Sequence, residues 1–207
     1  MGNISLLGKL LYRLAHFVLR SYFLIIRRWQ VNGRENIPEE GPLIVVANHI
    51  SAWDPPVLGC AIPTYRQVQF MAKEELFKNK ILAWALKKIG TFPVKRDVGD
   101  RRALKNALEV LRSKGTLGLF PEGTRNDPGQ LGEAKPGTIL IASRTGAQIL
   151  PVAITNTRGS AGGPVRVNIG RPFTLAEHFQ GKLSRDEMKE AGKMVMDKIA
   201  RLIDNPI

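Results

Sequence analysis

The sequence predicts an α/β domain with a largely parallel central sheet flanked by helices, preceded by an N-terminal amphipathic helix or helix pair. After residue 29, short β-branched runs alternate with helical patterns, which is typical of βαβ units. Before that residue, basic side chains recur at helical spacing in an otherwise apolar segment. The length of 207 residues suits one domain.

The elements follow in a regular order. Strand-like runs cover 43–47, 66–72, 90–94, 116–120, 148–154 and 165–170. Helical patterns cover 55–61, 74–89, 101–114, 136–145 and 184–203. Ligands of such sheets gather at the carboxyl ends of the strands. Two polar segments, 48–54 and 121–125, directly follow strand-like runs, so we expect them to share one crevice.

The composition limits the partners. Lys and Arg number 31 against 18 Asp and Glu, a net charge of +13, which indicates an anionic partner such as nucleic acid, anionic lipid or a phosphorylated substrate. Nucleic acid is not expected, because no recognisable motif is present and aromatic residues do not alternate with the basic ones. The single cysteine, Cys60, excludes an intrachain disulfide framework and a cysteine-rich zinc site.

The first 28 residues predict a helix that lies in a membrane interface. Residues 3–28 contain no acidic side chain, and the uncharged stretches are far shorter than the roughly 20 residues that span a bilayer. Recurring charges also argue against a signal peptide. The basic residues Lys9, Arg13, His16, Arg20 and Arg27 fall on one helical stripe. We expect an interfacial segment over 1–28, followed by the α/β domain over 29–207. Its expected membrane contacts are Lys9, Arg13, Phe17, Arg20, Tyr22, Phe23, Arg27 and Arg28. The alternative is a cap that packs on the domain's own core, and the pattern fits one helix or two.

The pair His49 and Asp54 is the first candidate for chemistry. Imidazole removes protons near neutral pH, and a carboxylate on its other nitrogen fixes the tautomer and stabilises the imidazolium. No GxSxG motif accompanies the pair, so it indicates a base that activates a substrate hydroxyl directly. The alternative is structural: Asp54 before Pro55-Pro56 resembles an N-cap followed by proline, and His49 could cap the strand end.

Three basic segments are candidates for binding an anion. In the loop over 121–125, Gly123 allows close backbone approach, Arg125 offers a planar fork to phosphate, and Glu122 would hold Arg125 or accept a substrate hydroxyl. The alternative is an ordinary turn with a surface ion pair. Lys95-Arg96 end a strand-like run, and Lys135 precedes a helix whose free N–H groups could bind an anion. Their alternatives are a solvated basic corner and an ordinary helix start.

Taken together, these segments resemble the lysophosphatidate acyltransferase family, the HxxxxD 1-acyl-sn-glycerol-3-phosphate acyltransferases. The resemblance rests on Asn48-His49-x4-Asp54, the block from Gly90 to Arg96, the segment FPEGTR over 120–125, and Leu150-Pro151-Val152. It covers about half of the chain, and the pairing of HxxxxD with a later FPEGTR is highly specific.

The resemblance implies a role for each candidate. His49 would be the general base on the free sn-2 hydroxyl of a lysophosphatidate acceptor, and Asp54 would orient it. The acyl donor would be acyl-CoA or acyl-carrier protein, used as a substrate, with no metal ion or bound cofactor. Substrate-binding residues would be Lys95, Arg96, Glu122, Gly123, Thr124, Arg125 and Lys135. The protein would be peripheral or monotopic on the cytoplasmic face of an anionic membrane.

Two departures from the family pattern leave the acceptor open. Lys95 stands where a hydrophobic or acidic residue is common, and Asn126 where serine is common. Glycerol 3-phosphate or another lysophospholipid is therefore an alternative acceptor. A non-catalytic peripheral lipid-binding protein is the alternative from another class, but such a protein has no need of the His49–Asp54 pair.

Overall fold

The computed structural model describes residues 5–95, 99–127, 129–158 and 163–205. Its described α-helices are α1 (Leu6–Ile25), α2 (Asp54–Ala61), α3 (Lys80–Lys88), α4 (Arg101–Arg112), α5 (Pro136–Thr145) and α6 (Arg185–Asp204). Its described strands are β1 (Gln30–Asn32), β2 (Leu43–Ala47), β3 (Val68–Lys73), β4 (Phe92–Val94), β5 (Thr116–Leu119), β6 (Gln148–Thr155) and β7 (Arg166–Ile169). The predicted fold class is confirmed.

All seven described strands form one sheet in the order β1-β7-β6-β2-β5-β3-β4. The five strands from β6 to β4 are mutually parallel. Strand β7 is antiparallel to β6, and β1 is parallel to β7. The central strand β2 is buried throughout, as expected for a parallel strand covered on both faces. Its carboxyl end therefore lies in the middle of one sheet edge.

The side chains of β2 alternate between two apolar cores. Leu43, Val45 and Ala47 face the core beneath α1 and α2, whereas Ile44 and Val46 face the core beneath α4, α5 and α6. The helices therefore cover opposite faces of the sheet, with α1 and α2 on one side and α4 to α6 on the other.

Two elements differ from the prediction. The helix expected over 74–89 is divided into a 3₁₀ turn at Glu74–Phe77 and α3. The division follows from Asn79, whose side-chain Oδ1 accepts the N–H groups of Ile81 and Leu82, each at 3.0 Å. Asparagine is favoured at such an N-cap and disfavoured within a helix. Strand β1 has three residues, too short a run to carry a periodic signal.

The N-terminal segment forms one described helix that packs on the domain along a narrow side. Ser5 caps it by accepting the N–H of Gly8 at 3.2 Å. The inward residues recur at helical spacing: Gly8, Tyr12, His16 and Phe23. The opposite side leaves large apolar side chains exposed, among them Leu10, Leu14 and Phe17. None of the described helices combines the length and apolar character needed to cross a bilayer.

The packing of α1 leaves some of the predicted membrane contacts exposed and buries others. Five of them are exposed: Lys9, Arg13, Phe17, Arg20 and Arg28. Tyr22 is half-buried and stacks on Trp53, with ring centroids 5.6 Å apart. Phe23 is 0% exposed and stacks on Trp29 in the core, so the prediction of membrane contact is wrong for Phe23.

Two members of the predicted basic stripe also face the domain. His16 is buried and its Nε2 lies 3.4 Å from the carbonyl oxygen of Ile62. Arg27 donates from its guanidinium to the carbonyl oxygen of Asn156 at 2.8 Å. The outer surface of α1 is therefore less basic than its sequence indicates, while its exposed apolar area is large. The division of the chain at residue 28 stays a prediction.

Candidate active site

The loops that follow β2, β5 and β6 meet at the carboxyl edge of the sheet. Because these strands are parallel neighbours, their carboxyl ends lie side by side. The loop after β2 carries His49, the loop after β5 carries Glu122, and the turn after β6 carries Thr157. The crevice expected from the sequence is therefore formed by three loops rather than two.

Asn48 sets the direction in which the chain leaves β2. Its side-chain amide donates to the carbonyl oxygen of Ile154 at 2.9 Å, and its Oδ1 accepts the N–H of Ile154 at 2.7 Å. The side chain thus takes the place of a backbone group in the ladder with β6. Because of this contact, the backbone leaves the sheet at residue 49, and its position there is fixed.

His49 and Asp54 are in direct contact. The Nδ1 atom of His49 lies 2.8 Å from Oδ2 of Asp54, and the imidazole ring stacks on Phe120, with centroids 4.2 Å apart. Since the carboxylate accepts, Nδ1 carries the proton, and Nε2 is the nitrogen that is free to take one. Nε2 of His49 has no hydrogen-bond partner within the described part of the chain. The arrangement can therefore remove a proton from a bound hydroxyl.

The carboxylate of Asp54 is fully buried, at 0% exposure, and is held from four directions. Besides His49, its Oδ2 accepts the backbone N–H groups of Ile50 and Ser51 at 2.6 and 2.7 Å. Its Oδ1 accepts the hydroxyl of Thr157 at 2.5 Å. Asp54 is the first residue of α2, and its side chain binds the preceding loop. The alternative reading as the N-cap of α2 is wrong, because Trp53 holds that position without a side-chain cap.

Glu122 contacts the backbone of the catalytic candidate rather than Arg125. Its Oε2 accepts the N–H of His49 at 3.0 Å, and its Oε1 accepts the N–H of Gly132 at 3.4 Å. The side chain is 2% exposed. Burial raises the pKa of Glu122, against the lowering effect of these hydrogen bonds. With both oxygens occupied by loop N–H groups, Glu122 is placed to hold His49 and not to hold a ligand.

Two residues after β6, Thr157 and Arg158, complete the site, and no sequence motif singles them out. Thr157 holds Asp54, as above. Arg158 donates from Nε to the carbonyl oxygen of Ile50 at 2.7 Å and from a terminal nitrogen to that of Asn126 at 2.9 Å. It thereby joins the loop of His49 to the loop of Glu122. The available signal was position: both residues follow a buried strand, where polar side chains reach the carboxyl edge.

An apolar cleft of about 420 Å³ opens beside His49. Helix α1 supplies Tyr12, Ala15 and Leu19 to its wall, and α3 supplies Leu86. Phe70 also lines it; its ring lies so close to Gly118 that any side chain at that glycine would overlap it. The cleft therefore runs between the N-terminal helix and the sheet, with His49 in its wall.

Within the described residues, one of the predicted substrate-binding cations lines this cleft and two do not. Arg125 is exposed and lines the cleft, and so does Lys73 at the end of β3, a residue that the sequence did not single out. Lys95 and Lys135 are exposed, but neither occurs among the described residues of the cleft wall. Nζ of Lys95 lies 3.8 Å from Glu74. Arg96 lies outside the described residues.

The predicted turn residues shape the loop over 121–125. Gly123 has a φ of +71°, a conformation that favours glycine, and a side chain there would crowd the stem of Lys135. Lys135 also donates its backbone N–H to the carbonyl oxygen of Pro121 at 2.8 Å. Thr124 is exposed. The loop therefore presents Thr124 and Arg125 outward while Glu122 points inward.

Burial favours the neutral form of three other groups in the cleft wall, Tyr12, His16 and Cys60. It raises the pKa of the Cys60 thiol to about 12 and the pKa of the Tyr12 hydroxyl to about 12. It lowers the pKa of His16, and the nearby Arg20 and Arg34 add to that effect. A thiol with so high a pKa is a poor nucleophile, so Cys60 is not a candidate for covalent chemistry in the cleft.

Comparison with known proteins identifies the family of this chain. The family model described as Acyltransferase matches residues 28–155. A chloroplastic 1-acyl-sn-glycerol-3-phosphate acyltransferase of Arabidopsis thaliana is 33% identical over 69% of this chain and 43% of its own length. The 1-acyl-sn-glycerol-3-phosphate acyltransferase of Streptococcus pneumoniae is 31% identical over 74% of this chain and 61% of its own length.

A solved structure shares the fold. The crystal structure of the 1-acyl-sn-glycerophosphate acyltransferase PlsC from Thermotoga maritima superposes with a TM-score of 0.73 at 28% identity, covering 97% of this chain and 80% of that one. The chain spans less than two thirds of the length of the two curated relatives above. The matched residues 28–155 include His49, Asp54 and the loop over 121–125. The chain belongs to the acyltransferase family.

Proposed function

We propose that the chain transfers a fatty acyl group from a thioester, acyl-CoA or acyl-carrier protein, to the free sn-2 hydroxyl of lysophosphatidate, which yields phosphatidate. One observation carries the proposal: His49, joined to Asp54 at 2.8 Å, lines an apolar cleft of about 420 Å³. A base therefore lies in the wall of a cavity that can hold an acyl chain. Both relatives described above are named for this reaction.

The transfer needs only one proton-accepting group from the protein. Nε2 of His49 takes the proton of the acceptor hydroxyl while the oxygen attacks the thioester carbonyl carbon. The tetrahedral intermediate collapses, the C–S bond breaks, and the thiolate takes the proton from the imidazolium. An ester and a free thiol result, and His49 returns to its starting state.

Asp54 supports this cycle by electrostatics and orientation. The imidazolium that forms during the attack lies against a carboxylate with no exposure to water, where the attraction is stronger than at a surface. The two backbone N–H groups on Oδ2 keep the carboxylate from rotating away. Asp54 therefore holds the tautomer that leaves Nε2 free.

The cleft would hold the acyl chain of the lipid, and the cations beside it would bind the phosphate. An acyl chain fits a cavity walled by apolar residues of α1, α3 and β3, and its size lies within the usual range of ligand sites. Arg125 and Lys73 at the same cleft supply positive charge for the phosphate of the acceptor, Arg125 through paired hydrogen bonds. Glu122 serves as a positioning residue through the backbone of His49. Arg96 stays a prediction, and Lys95 and Lys135 would act only at longer range.

The outer surface of α1 supports membrane attachment. Phe17 is 69% exposed, and it shares that surface with other large apolar side chains and with the exposed Arg13 and Arg20. A helix of this kind binds an interface by apolar burial and by attraction to anionic lipid. We place the protein as a peripheral or monotopic enzyme on the cytoplasmic face of a membrane, next to its lipid acceptor.

An acceptor panel tests the proposed substrate. The chain is incubated with an acyl thioester and, separately, lysophosphatidate, glycerol 3-phosphate and lysophosphatidylethanolamine, and the products are identified by mass spectrometry. We expect phosphatidate to form with the highest kcat/KM. Faster acylation of glycerol 3-phosphate would reject lysophosphatidate as the acceptor, and lipid binding without any product would reject the enzyme in favour of a lipid-binding protein.

A further inference from the structure

Helix α3 exposes an apolar surface that the reaction does not use. Ile81 is 81% exposed and Trp84 51% exposed, and Leu82 is exposed beside them. A folded chain in water usually scatters large exposed apolar residues singly, and a cluster marks an interaction site. Here the cluster occurs on a helix of nine residues, which Asn79 caps in a defined position.

The charge around this surface favours an anionic partner. Residues 78–90 contain four lysines and no acidic residue. Lys78, Lys80 and Lys87 are exposed, and their long stems allow the ammonium groups to reach head groups while the apolar residues lie deeper. We define the α3 surface as Ile81, Leu82, Trp84, Lys78, Lys80 and Lys87.

Helix α3 also lies next to α1, whose outer surface is the proposed membrane contact. The two helices contact each other, and both supply wall residues to the cleft that His49 lines, α1 through Leu19 and α3 through Leu86. Their outward residues, Phe17 on α1 and Ile81 on α3, are different from the wall residues. The cleft therefore lies between two helices that each expose apolar side chains.

We propose that the α3 surface is a second membrane contact, so that an anionic bilayer covers both helices that flank the cleft. The inference rests on the proposed membrane attachment through α1 and extends it to a segment of the catalytic domain. A lysophospholipid would then enter the cleft from the bilayer between α1 and α3, without exposing its acyl chain to water.

Fluorescence of Trp84 tests whether the α3 surface enters the bilayer. The full chain with Trp53→Phe keeps the buried Trp29 and the exposed Trp84. It is mixed with vesicles of phosphatidylcholine and phosphatidylglycerol that carry brominated acyl chains, which quench nearby indole rings. We expect strong quenching and a blue shift. An unquenched Trp84 in protein that co-floats with the vesicles would overturn the inference while leaving attachment through α1 intact.

Substitutions provide the matched comparison. Ile81→Ser should lower partitioning onto these vesicles about tenfold. Lys80→Glu with Lys87→Glu should lower it at least about tenfold. Lys189→Glu with Lys193→Glu makes the same change in net charge on α6, across the sheet from α1, and should lower it much less. Equal losses from the two lysine pairs would mean that only net charge matters, which contradicts a contact at α3.

A soluble substrate separates this inference from the proposed function. With a short-chain lysophosphatidate below its micelle concentration, Ile81→Ser should transfer acyl groups at the wild-type rate. Wild-type protein that fails to bind vesicles would reject both membrane contacts. Wild-type protein that dimerises in light scattering, with Ile81→Ser monomeric, would show that a second copy of the chain occupies the α3 surface and would overturn the assignment to lipid.

Discussion

Thr157→Val removes one hydrogen bond from the buried carboxylate on which the site depends. The Thr157 hydroxyl donates to Oδ1 of Asp54 at 2.5 Å, and both residues are buried. Valine has nearly the same shape, so the substitution deletes the donor without opening a cavity. A hydrogen bond to a charged group contributes about 1.5–3 kcal/mol, and we expect the free energy of unfolding to fall by that amount.

The effect on turnover should be smaller than the effect of removing the carboxylate. Oδ2 of Asp54 keeps His49 and two backbone N–H groups, so the imidazole stays oriented. We expect kcat to fall roughly tenfold, equivalent to about 1.4 kcal/mol, with KM unchanged. Asp54→Asn should cost far more, since an amide on Nδ1 of His49 favours the wrong tautomer.

Urea unfolding followed by circular dichroism measures the stability difference. Thr145→Val is the matched control, because the Thr145 hydroxyl donates to the neutral carbonyl of Ile141 at 2.9 Å and its loss should cost only about 0.5–1.5 kcal/mol. If Thr157→Val loses no more unfolding free energy than Thr145→Val loses, the account of Asp54 as a buried charge held by four donors is refuted.

Three further predictions concern phosphate, pH and membrane. Arg125→Ala should raise KM for lysophosphatidate about ten- to hundredfold with little change in kcat, whereas Arg144→Ala, an exposed arginine on α5, should leave KM unchanged; equal KM values would reject the phosphate contact. Burial raises the pKa of Glu122 above its ordinary 4.5. Between pH 4.5 and the raised pKa, the folded chain keeps a proton that the unfolded chain loses. The contribution of this carboxyl to stability therefore falls as the pH rises above 4.5. The unfolding free energy of wild type minus that of Glu122→Gln should therefore decrease with rising pH, and a constant or increasing difference would contradict the shift. Leu14→Ser with Phe17→Ser should weaken vesicle flotation about tenfold for each residue; unchanged flotation would argue against the outer surface of α1 as a membrane contact.

Surface substitutions test the membrane contact of α1 more sharply than a deletion of residues 1–28 would. Phe23 belongs to the core, and Tyr12 donates its hydroxyl to the carbonyl oxygen of Gly59 at 3.3 Å. A deletion would expose the core beneath α1, so loss of membrane binding would not be separable from loss of structure. Surface substitutions keep the inward side of α1 intact.

The sheet and the central pair could be predicted because their signals are local. Strand β2 is a continuous apolar run, and His49 and Asp54 are separated by one short loop that brings the side chains together. The loop over 121–125 carries its own turn signal in Gly123. Parallel pairing of β2 and β5 then places these two segments at the same edge.

The contacts of Asp54 and His49 with distant residues could not be predicted in the same way. Thr157 is 103 positions from Asp54, and Glu122 is 73 positions from His49. These contacts depend on the register between strands, which no local pattern specifies. Glu122 illustrates the consequence: its position beside Arg125 indicated a ligand contact, but its side chain turns inward to the backbone of His49.

The sequence does not predict which side of α1 faces the core, and the reason is different. Periodicity separates an apolar side from a polar side, and α1 has apolar residues around most of its circumference. A protein core and a bilayer are both apolar, so the pattern does not distinguish Phe23, which enters the core, from Phe17, which is exposed. The same ambiguity concealed the exposed residues of α3.

Thiol release from an acyl thioester tests the central claim most directly. The rate is measured with acyl-CoA and with acyl-carrier protein, with and without lysophosphatidate, for wild type and for His49→Ala. The account predicts release that requires the acceptor and that falls at least about 10²-fold without the imidazole. Release that is unchanged in His49→Ala, or that depends on His49 but proceeds without any acceptor, as in a thioesterase, would contradict it.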